Sequence, residues 1–245
     1  MFPPYVHSVF DGPTHTWPIC GQGLNECNFY ARDNALNTLE QQMRFDPAQF
    51  KRAVGPLFQA KLGGTLPPLK SMLLKQLGYG SHFGNLRFTH AEFVLRQLIR
   101  MRVPVLVDIY TAAQFGFTRF YGQHAVVLVG YSDPYIDASG TRREEYYLID
   151  SEWPRLGEFR VDYNDVDRNG DGEIEDYPGN RTISRNQFMR IFSTRCYTPI
   201  FPSPIAHTRW YTHTFIPHRP SLWERLITGS NDKLRFTQTV DVIRS

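Results

Sequence analysis

The 245-residue chain is poor in the features that mark several classes of protein. It has only three cysteines, and an odd number excludes a framework built entirely of intrachain disulfides. Its 27 basic and 24 acidic residues give a net charge of +3 with no block of like charges, which argues against a nucleic-acid partner. Its apolar runs reach only about five residues, whereas a membrane span needs roughly 20. A chain of this length can nevertheless bury a substantial core.

Helical and strand-like patterns occupy different halves of the chain. The first helix is predicted from Cys27, with Ala31, Ala35, Leu36, Leu39 and Met43 on one stripe. Further helices are predicted from Asp46-Pro47, over 66–77 ending at Gly78, and from the capping box Thr89–Glu92. Runs of β-branched and aromatic residues predict strands over 103–110, 123–131 and 145–151, and a weaker one over 158–161. This order predicts an α+β fold, with a helical N-terminal half packed on a C-terminal antiparallel sheet.

The proline-rich end of the chain differs from the rest. We expect residues 1–196 to form one catalytic domain and residues 197–245 to form an extension rich in proline and aromatic residues. The extension should pack on the core as irregular chain, with one late strand near residues 234–242.

Three residues suggest nucleophilic catalysis. Cys27 is predicted at the first turn of a helix, where the helix dipole and unpaired N–H groups stabilise a thiolate. His124 begins one apolar strand and Asp150 ends another, so pairing of the two strands would let the carboxylate orient the imidazole. Gln22, just upstream, supplies an amide donor for an oxyanion. The alternative is a buried structural cysteine with a core histidine and a turn aspartate.

The same segments resemble the papain-like cysteine peptidases, and most closely the bacterial branch that cleaves double-glycine leaders. The resemblance covers roughly residues 15–155 and rests on residues 22–27, the helix that follows, and the segments 69–109, 124–131 and 147–153. It implies that Cys27 is the nucleophile, His124 the base, Asp150 the orienting acid and Gln22 the oxyanion donor. Cys20 is the competing nucleophile, although no helix terminus is predicted to stabilise its thiolate.

The acidic segment over residues 165–176 is a second candidate functional site. Its spacing is similar to the twelve-residue calcium loop, with oxygen ligands expected from Asp165, Asp167, Asn169, Asp171, Glu173 and Asp176. We expect a structural calcium ion here and no cofactor in catalysis. The alternative is a solvated acidic turn.

The leading hypothesis is a cysteine peptidase that hydrolyses a peptide or isopeptide bond in a peptide or protein substrate. One alternative is a papain-like or transglutaminase-like acyltransferase. Another is a catalytically inactive, calcium-stabilised binding module. Glu26 and Asn28, on either side of Cys27, are the residues that favour this alternative. Residues 1–12 lack the basic and apolar segments of a signal peptide, while the acidic loop favours a secreted or cell-surface protein whose leader is absent from this chain.

Overall fold

The structure is a computed structural model that describes most of the chain. The described residues are 2–10, 12, 19–22, 26–47, 49, 67–86, 91–110, 123–157, 159–161, 163–167, 171–192, 195–216 and 233–234. They form five helices and a large antiparallel sheet of eight strands. This mixed architecture is compatible with the predicted α+β class.

The elements follow one another in a mixed order along the chain. The helices are α1 (Cys27–Glu40), α2 (Pro67–Gln76), α3 (Ala91–Arg100), α4 (Arg185–Ile191) and α5 (Pro204–Thr214). The strands of the large sheet are β1 (Val6–Ser8), β3 (Gly80–Ser81), β4 (Gly84–Asn85), β5 (Val105–Tyr110), β6 (Gln123–Ser132), β9 (Glu145–Ile149), β13 (Arg181–Ser184) and β14 (Cys196–Phe201). Short two-stranded pairs are formed by β2 (Ile19–Cys20) with β10 (Arg160–Val161), β7 (Tyr135–Ile136) with β8 (Arg142–Arg143), β11 (Asn164–Val166) with β12 (Glu175–Tyr177), and β15 (Phe215–Ile216) with β16 (Lys233–Leu234).

The large sheet has the order β13-β9-β6-β5-β14-β3, with β1 also paired to β6 and β4 to β14. Its central strands are apolar along nearly their whole length, and consecutive residues of β5 and β6 are buried. Since neighbouring side chains of a strand point to opposite faces, both faces of the sheet are covered here. Helices α1 and α3 both pack against β6, so the element that carries His124 lies in the middle of the core.

Helix α3 shows how the apolar pattern places the helices. Its side chains Val94, Leu95, Leu98 and Ile99 recur at helical spacing and are all buried, while Phe93 faces solvent. No helix in the described part of the chain combines the length and apolarity required to cross a membrane.

Several sequence-based boundaries need correction. The first helix ends at Glu40, so Met43 lies beyond it and is exposed. The segment after residue 196 was predicted to be irregular, and this was wrong: β14 pairs with β5 inside the main sheet, and α5 follows it. Local composition missed β14 because Pro199 suggests a strand breaker, although here it stands opposite Val105 within the sheet. Most of the predicted second helix, the Thr89–His90 cap and the late strand beyond Leu234 lie outside the described residues.

Candidate active site

Cys27 is the first residue of helix α1, as the sequence predicts. Its side chain is largely enclosed, with the residue 9% exposed. Glu26, at the N-cap position, makes no capping hydrogen bond through its side chain. The thiol is therefore placed at the positive end of the helix dipole, where a negative charge is stabilised.

His124 and Asp150 meet because strands β6 and β9 are antiparallel neighbours. Val127 stands opposite Ile149, so the start of β6 and the residue after β9 come together at one end of the pair. The Nε2 atom of His124 lies 2.7 Å from Oδ1 of Asp150, and both side chains are buried. The strand pairing on which the sequence argument depends is therefore present.

The remaining ring nitrogen of His124, Nδ1, lies 3.6 Å from Oε1 of Glu152. Nδ1 is buried and has no hydrogen-bond partner among the described residues, and the Cys27 thiol is near enough to interact with the imidazole. Burial opposes a charge on the ring, but hydrogen bonding and electrostatic attraction from Asp150 and Cys27 raise the pKa of His124 to about 10. At neutral pH the imidazole is therefore protonated, which favours a thiolate beside it.

Asp150 is held by more partners than the imidazole alone. Its Oδ1 also accepts a hydrogen bond from the Glu152 backbone N–H at 2.9 Å, and its Oδ2 accepts one from Nη1 of Arg181 at 2.6 Å. Burial favours the neutral acid, but the bond from His124 and the positive charges of His124 and Arg181 lower the pKa of Asp150 to about 2. The carboxylate stays ionised throughout the physiological range.

Asn180 fixes the backbone of Asp150. Its Oδ1 accepts a hydrogen bond from the Asp150 N–H, and its Nδ2 donates to the carbonyls of Asp150 and Trp153, all between 2.7 and 2.8 Å. Gly179 allows this approach: it has φ +78°, and a Cβ there would lie 2.2 Å from the Leu148 carbonyl oxygen. The loop that follows β9 is thereby tied to the start of β13.

Gln22 lies in the same site, but its amide already has partners. Its Oε1 accepts a hydrogen bond from the Ser151 hydroxyl, and its Nε2 donates to Oε1 of Glu152 at 2.9 Å. Its backbone N–H donates to the Ser151 carbonyl at 3.0 Å. Gly21 permits this close packing, since a Cβ there would lie 2.1 Å from the Gly157 carbonyl oxygen.

All three cysteines are thiols, and Cys20 and Cys196 lie in different surroundings from Cys27. Cys20 stands opposite Arg160 in the β2–β10 pair. Burial is the main cause that raises the pKa of its thiol, with Arg160 acting in the opposite direction. Cys196 accepts a hydrogen bond from Nδ2 of Asn85 at 3.4 Å.

The site thus unites Cys27, His124, Asp150 and Gln22, and adds four residues that sequence reasoning missed. These are Ser151, Glu152, Asn180 and Arg181. Ser151 and Glu152 directly follow Asp150, and that proximity was an available signal. Asn180 and Arg181 arrive through the pairing of β13 with β9, which no local sequence feature indicates.

The acidic segment forms a β-hairpin. Asp165 in β11 stands opposite Asp176 in β12, so the first and last proposed ligand positions are brought level. Asp167 accepts a hydrogen bond from the Gly172 N–H at 3.1 Å, and Asp171 accepts one from the Glu173 N–H at 2.8 Å. Asn169 lies outside the described residues. Among the described residues, no three His, Cys, Asp or Glu side chains form a group that could hold a metal ion. Calcium binding therefore stays a prediction.

Thermal unfolding tests that prediction. If the hairpin binds calcium, adding CaCl2 to chelated protein should raise Tm by about 5 °C at saturation, because the ion binds only the folded state. MgCl2 at equal ionic strength is the control for general screening. The double variant Asp167→Ala/Asp171→Ala should lose the calcium response, and a flat response in the unmodified protein would identify a solvated acidic turn.

Together the described residues define a class of site: a cysteine at a helix start, with a buried histidine and aspartate carried by neighbouring antiparallel strands. No model of a known protein family matches this chain, and no curated protein sequence matches it significantly.

Proposed function

We propose that this protein is a cysteine hydrolase with a papain-like fold and a Cys27–His124–Asp150 triad that cleaves a peptide or isopeptide bond. The observation that carries the proposal is the placement of three groups in one chain of contacts. Asp150 holds Nε2 of a buried imidazole at 2.7 Å, and the same imidazole interacts with the Cys27 thiol at the start of α1. This is the order of groups that an activated thiolate requires.

The chemistry proceeds through an acyl-enzyme. The Cys27 thiolate attacks the carbonyl carbon, and the backbone N–H of Cys27 and the Gln22 amide stabilise the oxyanion. The imidazolium of His124 donates its Nδ1 proton to the leaving amine as the carbon–nitrogen bond breaks, which leaves a thioester. Neutral His124 then takes a proton from water, the resulting hydroxide displaces the thiolate, and a carboxylic acid is released.

The protonated state of His124 supports the first half of this cycle. With a pKa raised to about 10, the ring carries at neutral pH the proton that an amine leaving group needs. Asp150 keeps its charge because its pKa is lowered to about 2, so it stabilises the imidazolium at every pH at which the protein would work. Loss of the thiolate on acylation removes one of the charges that raise the pKa, which lets His124 act as a base in the second half.

A cleavage assay tests the proposal. The full chain is incubated with a panel of peptides of varied sequence, and new termini are identified by mass spectrometry. We expect Cys27→Ala to reduce cleavage at least about 10³-fold, because it removes the atom that forms the acyl-enzyme. Cys20→Ala and Cys196→Ala, which remove the other two thiols, should keep most of the activity.

Hydroxylamine in the same assay separates hydrolysis from acyl transfer. A peptide hydroxamate that depends on Cys27 would demonstrate a thioester intermediate, and its ratio to free acid would measure how readily an amine replaces water. Efficient transfer to ordinary amines would favour the acyltransferase alternative. Equal cleavage by the unmodified chain and Cys27→Ala, or none by either, would contradict the proposal.

A further inference from the structure

Glu152 has a contact that a simple triad does not explain. Its Oε1 accepts a hydrogen bond from Nε2 of Gln22 at 2.9 Å and lies 3.6 Å from Nδ1 of His124. In the proposed reaction these two groups serve the substrate, since one stabilises the oxyanion and the other protonates the leaving group. A carboxylate oxygen of the protein thus lies between the two groups that would act on the scissile bond.

The Glu152 side chain is placed so that it can leave this position. Its side chain is 33% exposed, in contrast to the enclosed side chains of His124 and Asp150. Its backbone N–H is held by Oδ1 of Asp150 at 2.9 Å, so rotation of the side chain need not disturb the triad. The carboxylate can therefore turn toward solvent while its backbone stays fixed.

Moving the Glu152 carboxylate out of this position costs free energy, and the amount depends on the charge of the substrate. A neutral substrate must break the charge-assisted bond between Gln22 and Glu152 and separate the carboxylate from the imidazolium. A substrate with a positive charge beside the scissile bond offers the carboxylate a new partner and offsets that cost. An anionic substrate is also repelled by the Glu152 carboxylate.

We propose that Glu152 is a specificity-determining residue: it occupies the Gln22 amide when the site is empty, and yields it to substrates with a cationic group next to the scissile bond. This inference rests on the proposed function, because it assigns Gln22 and His124 their roles in that reaction. The expected substrates are therefore peptides or isopeptides with a lysine-like or arginine-like charge at the cleavage site.

The test uses three methanethiosulfonate reagents that differ in charge. The Cys27 thiolate attacks the reagent's thiol-derived sulfur, a mixed disulfide forms, and methanesulfinate leaves with the bonding electron pair. The trimethylammonium-ethyl reagent is cationic, the sulfonatoethyl reagent anionic, and the methyl reagent neutral. Modification of Cys27 is followed by mass spectrometry at pH 7 in the unmodified chain, in Glu152→Gln and in Asp133→Asn.

We expect the ratio of the cationic to the anionic rate to fall by about tenfold in Glu152→Gln, since one charge is removed near the reacting sulfur. Asp133→Asn, which removes a half-exposed carboxylate that pairs with His7, should leave the ratio unchanged. The neutral reagent reports whether the thiol of each variant is still intact and reactive. In the cleavage assay, Glu152→Ala should lower the preference for lysine-containing peptides.

The outcomes separate the two proposals. A reactive Cys27 with the same charge ratio in Glu152→Gln would overturn the role of Glu152 and leave the proposed function standing. A parallel change in all three rates would also overturn it, because Glu152 would then act on the thiol and not on the reagent's charge. A Cys27 that is inert toward the neutral reagent would contradict the proposed function and, with it, this inference.

Discussion

Iodoacetamide is expected to modify Cys27 at pH 5 about 30-fold or more faster than it modifies Cys20. The reason is the protonated His124, whose pKa is raised to about 10, so that a thiolate beside it is stabilised even in acid. Burial raises the pKa of Cys20, and its labelling should increase about tenfold per pH unit, as for an ordinary thiol. Mass spectrometry locates the modified residue at each pH.

Two histidine variants identify the cause of that reactivity. His124→Ala should remove the fast labelling of Cys27 and restore the pH dependence of an ordinary thiol. His7→Ala is a matched control, because His7 also pairs with a carboxylate, Asp133 at 2.8 Å, but at the surface. Slow labelling of all three cysteines, or fast labelling of Cys27 that persists in His124→Ala, would make the inactive binding module the better interpretation.

The sequence predicts the parts of this site that local patterns control. Cys27 at a helix start follows from the apolar stripe after it, and the positions of His124 and Asp150 follow from two apolar runs too short to be anything but buried strands. Their pairing was only a condition of the sequence argument, and the structure meets that condition because β6 and β9 are antiparallel neighbours.

What the sequence did not predict depends on contacts between distant segments. Arg181 reaches Asp150 only because β13 pairs with β9, and the acidic loop separates the two strands in the chain. The place of β14 beside β5 was also missed, because Pro199 suggests a strand breaker and the partner strand is distant in the sequence. Gln22 was identified as a donor, but its existing bond to Glu152 depends on side-chain orientation, which spacing alone does not reveal.

Loss of Arg181 should have a large effect on stability. Its guanidinium donates to Oδ2 of Asp150 at 2.6 Å, and it lies 4.8 Å from the ring centroid of Trp153. Arg181→Leu removes one of the cations that stabilise the buried Asp150 carboxylate, so we expect the free energy of unfolding at pH 7 to fall by about 3 kcal/mol. Urea titration measures this loss. Arg143→Leu is a matched control, because its ion pair with Asp137, at 2.7 Å, lies at the surface and should leave stability unchanged.

The pH dependence distinguishes an electrostatic role of Arg181 from mere packing. The pKa of Asp150 is lowered to about 2, below its value in the unfolded chain, so its contribution to stability is present above about pH 4 and is lost as pH falls through about 2. Without Arg181 the pKa of this carboxyl should rise, so the variant, already less stable at pH 7, should lose less on acidification over the same range. Arg181→Lys keeps the charge and should retain more of the acid-dependent loss than Arg181→Leu does. Identical acid profiles in all three proteins would mean that Arg181 acts by packing alone.

Arg181 would act on catalysis as a positioning residue, through Asp150 and His124. The fast labelling of Cys27 in acid should therefore weaken in Arg181→Leu and recover in part in Arg181→Lys.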